Sequence, residues 1–374
     1  MKGTPEWSVR MAESVMKRHP LLAKKWAYEW GVVLKSIEQV WLKTNDDRYY
    51  DYIKRNIDEF VDPEGDIKTY RLDEYNLDQI NTGKLLFLLY NTTGDERYRK
   101  AAYLLRKQLE THPRTSEGGF WHKQIYPHQM WLDGIYMAGP FYAKFAKAFD
   151  EPVGFDDVAH QIMLVESHTR DPKTGLLYHG WDESRSQKWA NPETGCSPNF
   201  WGRAMGWYAM AIPDVLDHLP EDHPEREKII EIFGNMIGAL SAVQDRSTGL
   251  WYQVLDQAGR QGNYLEASAS CMFVYAMVKG GRKGYLDGEY LDVAKRGYRG
   301  ILEHFVKVDD QGLVNLDQIC SVAGLGGEPY RDGSFEYYIS EKIVTNDYKG
   351  VGPFILASVE MEKLKQSWPD VELK

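Results

Sequence analysis

The sequence predicts an all-α fold in which six helical hairpins close into a ring. Two short motifs recur along its 374 residues, and the apolar residues between them follow the period of a helix. One such stripe contains Ile135, Ala138, Tyr142 and Phe145. Strand-like alternation is brief and follows only certain glycines, so we expect no large sheet.

The first motif marks the start of a helix. It occurs as TNDDRY at residues 44–49 and as TGDERY at residues 93–98, and a helical pattern follows each copy. In both copies an aspartate, Asp46 or Asp95, stands where its side chain can accept a bond from the first free N–H groups of the helix. We therefore predict helices that begin directly after these aspartates.

The second motif is a polar turn that ends in glycine. Five such turns, with a closing pair of helices from the two chain ends, predict about six hairpins. The intervals are longer than the about 33–47 residues of common helical solenoid repeats, which favours a closed (α/α)6 barrel. A less regular helical domain is the alternative. The turns occupy residues 62–65, 116–119, 171–175, 245–249 and 309–312.

Composition narrows the class of protein. No linker rich in Pro, Gly or Ser divides the chain, so we interpret residues 1–374 as a single domain. The net charge of −10 is spread without a basic stripe, which argues against nucleic acid as a partner. We find neither an apolar run long enough for a bilayer nor an apolar N-terminal signal segment. The three cysteines suit a reducing compartment, and we expect a cytoplasmic protein.

Candidate functional residues cluster after the glycine turns, at residues 75–83, 121–134, 178–182 and 199–208. If the hairpins surround an axis, these segments meet at one end of it. Each residue also has a structural interpretation: Asp78 and Asp133 as helix caps, His179 as a buried structural histidine, Arg203 as a partner of a helix end, and Trp207 as core. The histidines lack zinc-binding spacing, and we predict no metal or other cofactor.

Several motifs in order along the chain resemble the unsaturated rhamnogalacturonyl hydrolases of glycoside hydrolase family 105. The likeness extends from about residue 20 to about residue 362. It implies an (α/α)6 barrel and a substrate in which a 4,5-unsaturated galacturonic acid is attached to rhamnose. The motifs are YNLDQIN (75–81), MWLDG (130–134), YHGWD (178–182), NFWGRAMGW (199–207), RDGSFEYY (331–338) and NDYKG (346–350).

The same resemblance implies roles for individual residues. Asp133 falls at the position of the proton donor, and Asp78 at that of the second important carboxylate. Arg203 is expected to face the carboxylate of the sugar, since a guanidinium forms a charge-assisted fork. Residues expected to line the sugar pocket are Trp30, His122, Lys123, Trp131, His179, Arg203, Trp207, Ala323 and Gly324.

Three alternatives remain open at this stage. A related hydrolase of unsaturated glucuronyl units from glycosaminoglycans would share barrel and chemistry. A conventional inverting glycosidase would need two carboxyl groups about 6.5–9.5 Å apart. A non-catalytic helical sugar-binding protein would have the fold without the reaction. The expected partner is a small unsaturated disaccharide, with no nucleic acid or membrane, and the protein is expected to be a monomer or a weak oligomer.

Overall fold

The computed structural model describes residues 6–367. Thirteen α-helices account for most of this part of the chain. Short 3₁₀ turns at Leu72–Glu74, Leu77–Gln79 and Asn81–Leu85 precede α4. The helices are α1 (Trp7–Arg18), α2 (Tyr28–Thr44), α3 (Asp47–Asp58), α4 (Leu86–Thr93), α5 (Glu96–Thr111), α6 (Leu132–Ala148), α7 (Val153–Thr169), α8 (Gly202–Leu216), α9 (Arg226–Ala242), α10 (Ala267–Arg282), α11 (Glu289–His304), α12 (Phe335–Ser340) and α13 (Tyr348–Ser367).

Twelve of these helices form two concentric rings. The inner ring runs α2, α4 with its preceding 3₁₀ turn, α6, α8, α10 and α13, and α13 packs back against α2. The helices α1, α3, α5, α7, α9 and α11 pack outside it, each against an inner neighbour. The predicted (α/α)6 barrel is therefore confirmed. Because the outer helices return the chain, α2, α6, α8, α10, α13 and the 3₁₀ segment that leads into α4 all begin at the same end of the ring.

The first sequence motif connects an inner helix to an outer one. Asn45 and Gly94 end α2 and α4 in the left-handed conformation, with φ of 53° and 67°. The next residues, Asp46 and Asp95, cap α3 and α5 by accepting a bond from the backbone N–H two residues on. The predicted capping is confirmed in both copies.

The second motif follows an outer helix in all five cases, after α3, α5, α7, α9 and α11. Each turn contains a glycine at positive φ, where an L side chain would be strained. In the second turn that glycine is Gly118, with φ of 89°, rather than the Gly119 on which the motif was centred. These turns lead the chain back toward the start of the next inner helix.

The loops between the helices contain three two-stranded antiparallel sheets. They pair β1 (Gln129–Trp131) with β2 (Gly180–Asp182), β3 (Val306–Val308) with β4 (Val314–Leu316), and β5 (Ile319–Cys320) with β6 (Ile343–Val344). A hydrogen bond also links α1 to α13, although the two residues are 354 positions apart: the backbone N–H of Ser8 donates to Glu362 Oε1 at 3.1 Å. None of the described helices combines the length and the apolar character needed to cross a bilayer.

Candidate active site

The polar residues at the start of the inner helices meet at one end of the ring. In five inner helices the second residue is polar or charged. The sixth place in the inner ring begins with the 3₁₀ turn Leu77–Gln79, and its second residue is Asp78. Helix N-termini carry a partial positive charge, so this end of the barrel favours anionic groups. The five second residues are Glu29 of α2, Asp133 of α6, Arg203 of α8, Ser268 of α10 and Lys349 of α13.

Asp78 is held between two cationic or polar partners. Its Oδ2 lies 2.6 Å from Lys123 Nζ, and its Oδ1 lies 3.5 Å from His122 Nε2. Backbone pairing between Asn76 and Lys123 fixes this arrangement, and the N–H of Leu77 donates to the carbonyl of His122 at 3.2 Å. Burial disfavours the charged carboxyl, but Lys123 and His122 outweigh it and lower the pKa of Asp78. Asp78 is thus an ionised carboxylate at neutral pH.

Asp133 faces His179 across the pairing of β1 with β2. The N–H of Leu132 donates to the carbonyl of His179 at 3.1 Å, which sets the two side chains opposite each other. Asp133 Oδ2 lies 3.2 Å from His179 Nε2. The other ring nitrogen, Nδ1, is 2.7 Å from the hydroxyl of Tyr338. The start of α6 has no side-chain cap, so the interpretation of Asp133 as a simple helix cap is wrong.

Trp131 forms the centre of an aromatic stack beside the two carboxylates. Its ring lies 4.5 Å from that of His122 and 4.8 Å from that of Tyr126, and both pairs are close to parallel. Burial lowers the pKa of His122 to about 4, so this ring is neutral at neutral pH. Gly180 stands opposite Trp131 in the sheet, and a Cβ there would lie 2.9 Å from the indole. A glycine at this position lets the indole lie flat against the strand.

The glycine-rich loop at 323–327 also contacts the aromatic stack around Trp131. Leu325 packs against Trp131 in a small apolar cluster. The N–H of Gly324 donates to the hydroxyl of Tyr337 at 3.0 Å, and Ala323 is partly buried next to it. Ala323 and Gly324 thus stand next to Leu325, the residue of this loop that packs on the stack, and their place in a sugar pocket stays a prediction.

Arg203 is buried and donates to groups of the protein. Its Nε lies 2.9 Å from Ser268 Oγ, its Nη1 donates to the carbonyl of Ser321 at 3.4 Å, and its Nη2 donates to the carbonyl of Cys320. Glu266 Oε1 lies 3.7 Å from Nη2. Each Nη carries a second hydrogen, so the guanidinium retains donors beyond these bonds. The expected fork to a sugar carboxylate stays a prediction.

Two of the predicted tryptophans belong to the packed interior. Trp30 is 2% exposed, stacks on Phe60 at 5.1 Å and donates from Nε1 to the carbonyl of Lys25 at 2.9 Å. Trp207 is 1% exposed and stacks on Tyr136 at 5.1 Å. The ring of Trp207 also contacts that of Tyr28, at 6.0 Å and close to perpendicular.

Tyr28 and Glu29, which the sequence motifs did not indicate, belong to this site. Burial is the largest cause that raises the pKa of Tyr28, and the charges of Glu29, Asp78 and Asp133 add to it while Arg203 opposes it. The Tyr28 hydroxyl is therefore a neutral donor within the field of both aspartates. Burial likewise raises the pKa of Glu29. A signal was available, because both residues open an inner helix as Asp133 does.

Within residues 6–367, no group of three or more His, Cys, Asp or Glu side chains is arranged to hold a metal ion. The site contains an ionised carboxylate at Asp78, a second carboxyl at Asp133, a neutral imidazole at His122 and flat aromatic surfaces.

Comparison with known proteins gives consistent matches over nearly the whole chain. The family model of Glycosyl Hydrolase Family 88 matches residues 7–365. The solved structure of a glycoside hydrolase from family 105 of C. acetobutylicum ATCC 824 superposes with a TM-score of 0.94. It is 51% identical in sequence and covers 96% of this chain and 100% of that one.

Two curated relatives extend the comparison. Protein Atu3128 of Agrobacterium fabrum is 41% identical over 230 residues, which is 60% of this chain and 97% of that protein. The unsaturated rhamnogalacturonyl hydrolase YesR of Bacillus subtilis is 29% identical over 276 residues, 72% of this chain and 75% of that protein. The chain belongs to Glycosyl Hydrolase Family 88, is similar throughout its length to a family 105 enzyme, and is a glycoside hydrolase.

Proposed function

We propose that this hydrolase removes 4,5-unsaturated galacturonic acid from rhamnose in disaccharides derived from rhamnogalacturonan. The observation that carries the proposal is the pair of carboxyl groups in different environments. Asp78 is paired with Lys123 at 2.6 Å, whereas Asp133 faces the imidazole of His179 at 3.2 Å. YesR, whose name records this activity, supports the choice of substrate.

The proposed reaction is a hydration of the C4=C5 vinyl ether. Asp133 gives its proton to C4, and an oxocarbenium-like centre forms at C5. The Asp133 carboxylate then accepts a proton from water as the water oxygen bonds to C5, which restores the acid. The C5 hemiketal opens by cleavage of the bond from C5 to the ring oxygen. This leaves a hemiacetal at C1 that releases the rhamnose, and the sum of the steps consumes one water.

The surroundings of Asp133 support both of its roles. While Asp133 carries the proton, His179 Nε2 can accept a bond from it, provided that Nδ1–H is donated to Tyr338. After the proton has left, the partial positive charge at the start of α6 stabilises the carboxylate. The ionised Asp78 places a fixed negative charge on the same side of the site, which stabilises positive charge that develops on the sugar.

Binding of an acidic sugar is supported by the cations and helix ends around the pocket. Lys123, Arg203 and Lys349 stand at or near the starts of the inner helices. Arg203 retains donors for the sugar carboxylate, and the stack around Trp131 offers an apolar face. We further propose that the enzyme works in the cytoplasm, which suits its three free, buried cysteines.

The test is loss of the ultraviolet absorbance of the conjugated C4=C5 bond. Disaccharides made by lyases from rhamnogalacturonan and from a glycosaminoglycan are compared for the wild type, Asp133→Asn and the exposed control Asp222→Asn. We expect loss of absorbance with the rhamnogalacturonan disaccharide, abolished in Asp133→Asn and unchanged in Asp222→Asn. Loss with the glycosaminoglycan disaccharide alone would assign the substrate to that class. No loss with either substrate would refute the reaction.

A further inference from the structure

A second polar cavity lies at the end of the ring opposite the candidate active site. It has a volume of about 410 Å³, which is in the range of small-molecule pockets. The C-terminal halves of the inner helices line it, together with Lys84 from the 3₁₀ turn that leads into α4. Among its described lining residues, seven are Lys or Arg and four are Asp or Glu. The cavity is therefore cationic in a chain whose net charge is −10.

The acidic groups of this cavity already have cationic partners. Asp214 accepts a bond from Lys279 Nζ at 2.6 Å and another from the hydroxyl of Tyr275 at 2.6 Å. Glu38 accepts from Lys35 Nζ at 2.5 Å. These pairs leave the excess positive charge on other lysines of the cavity.

Lys84 and Lys144 carry that excess. Lys84 is 2% exposed, and its Nζ makes no hydrogen bond within residues 6–367; its nearest aromatic partner is the ring of Tyr136, at 4.0 Å. Lys144 Nζ donates to the backbone carbonyl of Lys84 at 3.3 Å. Burial, with a smaller contribution from the charge of Lys35, lowers the pKa of Lys84 to about 7 against the opposing effect of Asp214, and lowers that of Lys144 to about 8. An anion between these ammonium groups would relieve the cost of burying them.

A structural explanation exists for lysines at helix ends, because they balance the negative C-terminal dipole and bond the last carbonyls. Lys84 does not fit it. It lies at the end of the 3₁₀ turn Asn81–Leu85, but that turn runs directly into α4 and so ends no inner helix, and the Lys84 Nζ makes no hydrogen bond to a carbonyl of the described residues.

We propose that this cavity binds a small tetrahedral dianion, phosphate or a phosphate ester, through Lys84 and Lys144. Lysine ammonium groups act as point charges that suit phosphate oxygens, whereas planar carboxylates are matched best by arginine forks. The arginine of the cavity, Arg282, donates from Nε to Glu360 at 2.7 Å. The proposal concerns a second site and does not depend on the reaction proposed for the first.

Sulfate is the probe, because it remains a dianion across the pH range of the experiment. Calorimetric titration at constant ionic strength is made with the intact chain, with Lys84→Met and Lys144→Gln, and with Lys107→Gln on the exposed face of α5 as the control. We expect saturable binding that weakens at least tenfold in each cavity variant and is unchanged in Lys107→Gln. Thermal unfolding confirms that each variant is folded.

The pH dependence gives a second, independent readout. Lys84 faces Asp214, Glu38, Lys35 and Lys144, and burial lowers the pKa of the nearby His218 to about 4, so that ring does not titrate above pH 6. As the pH rises from 6 to 9, Lys84 and then Lys144 lose their protons, and the affinity for sulfate should fall.

Two further titrations identify the source of the dianion. Tighter binding of a hexose phosphate than of inorganic phosphate would assign the ligand as a phosphate ester, and equal or weaker binding would assign free phosphate. The proposal would be overturned by sulfate binding that is absent, or that is the same in Lys84→Met and Lys144→Gln as in the wild type. In that case the cavity is an internal ion network alone.

Discussion

Removal of the ammonium group of Lys123 should move the acid limb of the pH–activity profile. In Lys123→Met, Asp78 loses the partner whose Nζ lies 2.6 Å from its Oδ2. Burial raises the pKa of this carboxyl, and Lys123 is the strongest of the groups that oppose it. The remaining partner, His122, is itself neutral at neutral pH. The pKa of Asp78 should therefore rise in the variant.

The size of the shift follows from the geometry. A cation this close lowers the pKa of a carboxyl by about 1–3 units. The Lys123 side chain is 21% exposed, so solvent screens part of its charge, and we expect the lower half of that range, about 1–2 units. A shift of that size is equivalent to about 1.4–2.7 kcal/mol between the two protonation states. At pH values below the shifted limb, kcat/KM should fall about 10–100-fold.

The assay is the absorbance of the unsaturated bond, followed from pH 4 to pH 9 for the wild type, Lys123→Met and Lys123→Arg. Arginine keeps a positive charge beside Asp78, so its acid limb should return close to that of the wild type. The reasoning is refuted if Lys123→Met loses activity by the same factor at every pH. Such a result would place Lys123 in substrate binding and not in control of the charge of Asp78.

Four other substitutions test the site and the fold. Tyr338→Phe removes the hydroxyl 2.7 Å from His179 Nδ1, and kcat should fall about tenfold with little change in KM because the tautomer of the imidazole is no longer fixed. Gly300→Ala places a Cβ 2.1 Å from a backbone carbonyl and should destabilise by about 1–3 kcal/mol in urea unfolding; Gly234→Ala, with nothing within 4 Å, should stabilise by about 0.5–1 kcal/mol. Burial lowers the pKa of His112 to about 4. As the pH falls, the unfolded chain therefore takes up a proton at this residue before the folded chain does. The free energy of unfolding should therefore fall, by about 3 kcal/mol, as the pH drops from 6.5 to 4, with a flatter profile in His112→Gln.

The ring of hairpins was predictable because its signals are local. A cap at Asp46 or Asp95 is decided by the residues on either side, and a glycine at positive φ, such as Gly175 or Gly249, is required by one turn. The glycine turn recurs five times along the chain, and with a closing pair of helices from the two chain ends that number predicts six helix pairs. The closure of α13 onto α2 joins residues more than 300 positions apart, and no local pattern specifies it.

The candidate site was predictable in part, because some of its residues also stand in local motifs. Asp78, Asp133 and His179 stand in distinctive motifs, and their proximity follows once the inner helices begin at one end. Tyr28 and Glu29 were missed because they stand in no such motif. The partners of Arg203 could not be foreseen, since the carbonyls of Cys320 and Ser321 belong to β5 and the residue after it, more than a hundred positions along the chain.

A chain of net charge −10 can bind an acidic sugar because the field at the site is local. Each helix N-terminus contributes about half a positive charge within its first turn, and those of α2, α6, α8, α10 and α13 converge with Lys123, Arg203 and Lys349. The surface carboxylates that make up the net charge lie farther away and are screened over about 8–10 Å at physiological salt. The inner ring thus does two things at once: its apolar faces form the core, and its aligned starts supply the charge that the substrate requires. The same alignment directs the C-terminal halves of α2, α6, α8, α10 and α13 toward the opposite cavity. There several basic residues balance the negative helix ends, and the buried ammonium of Lys84 is left without a hydrogen-bond partner among the described residues.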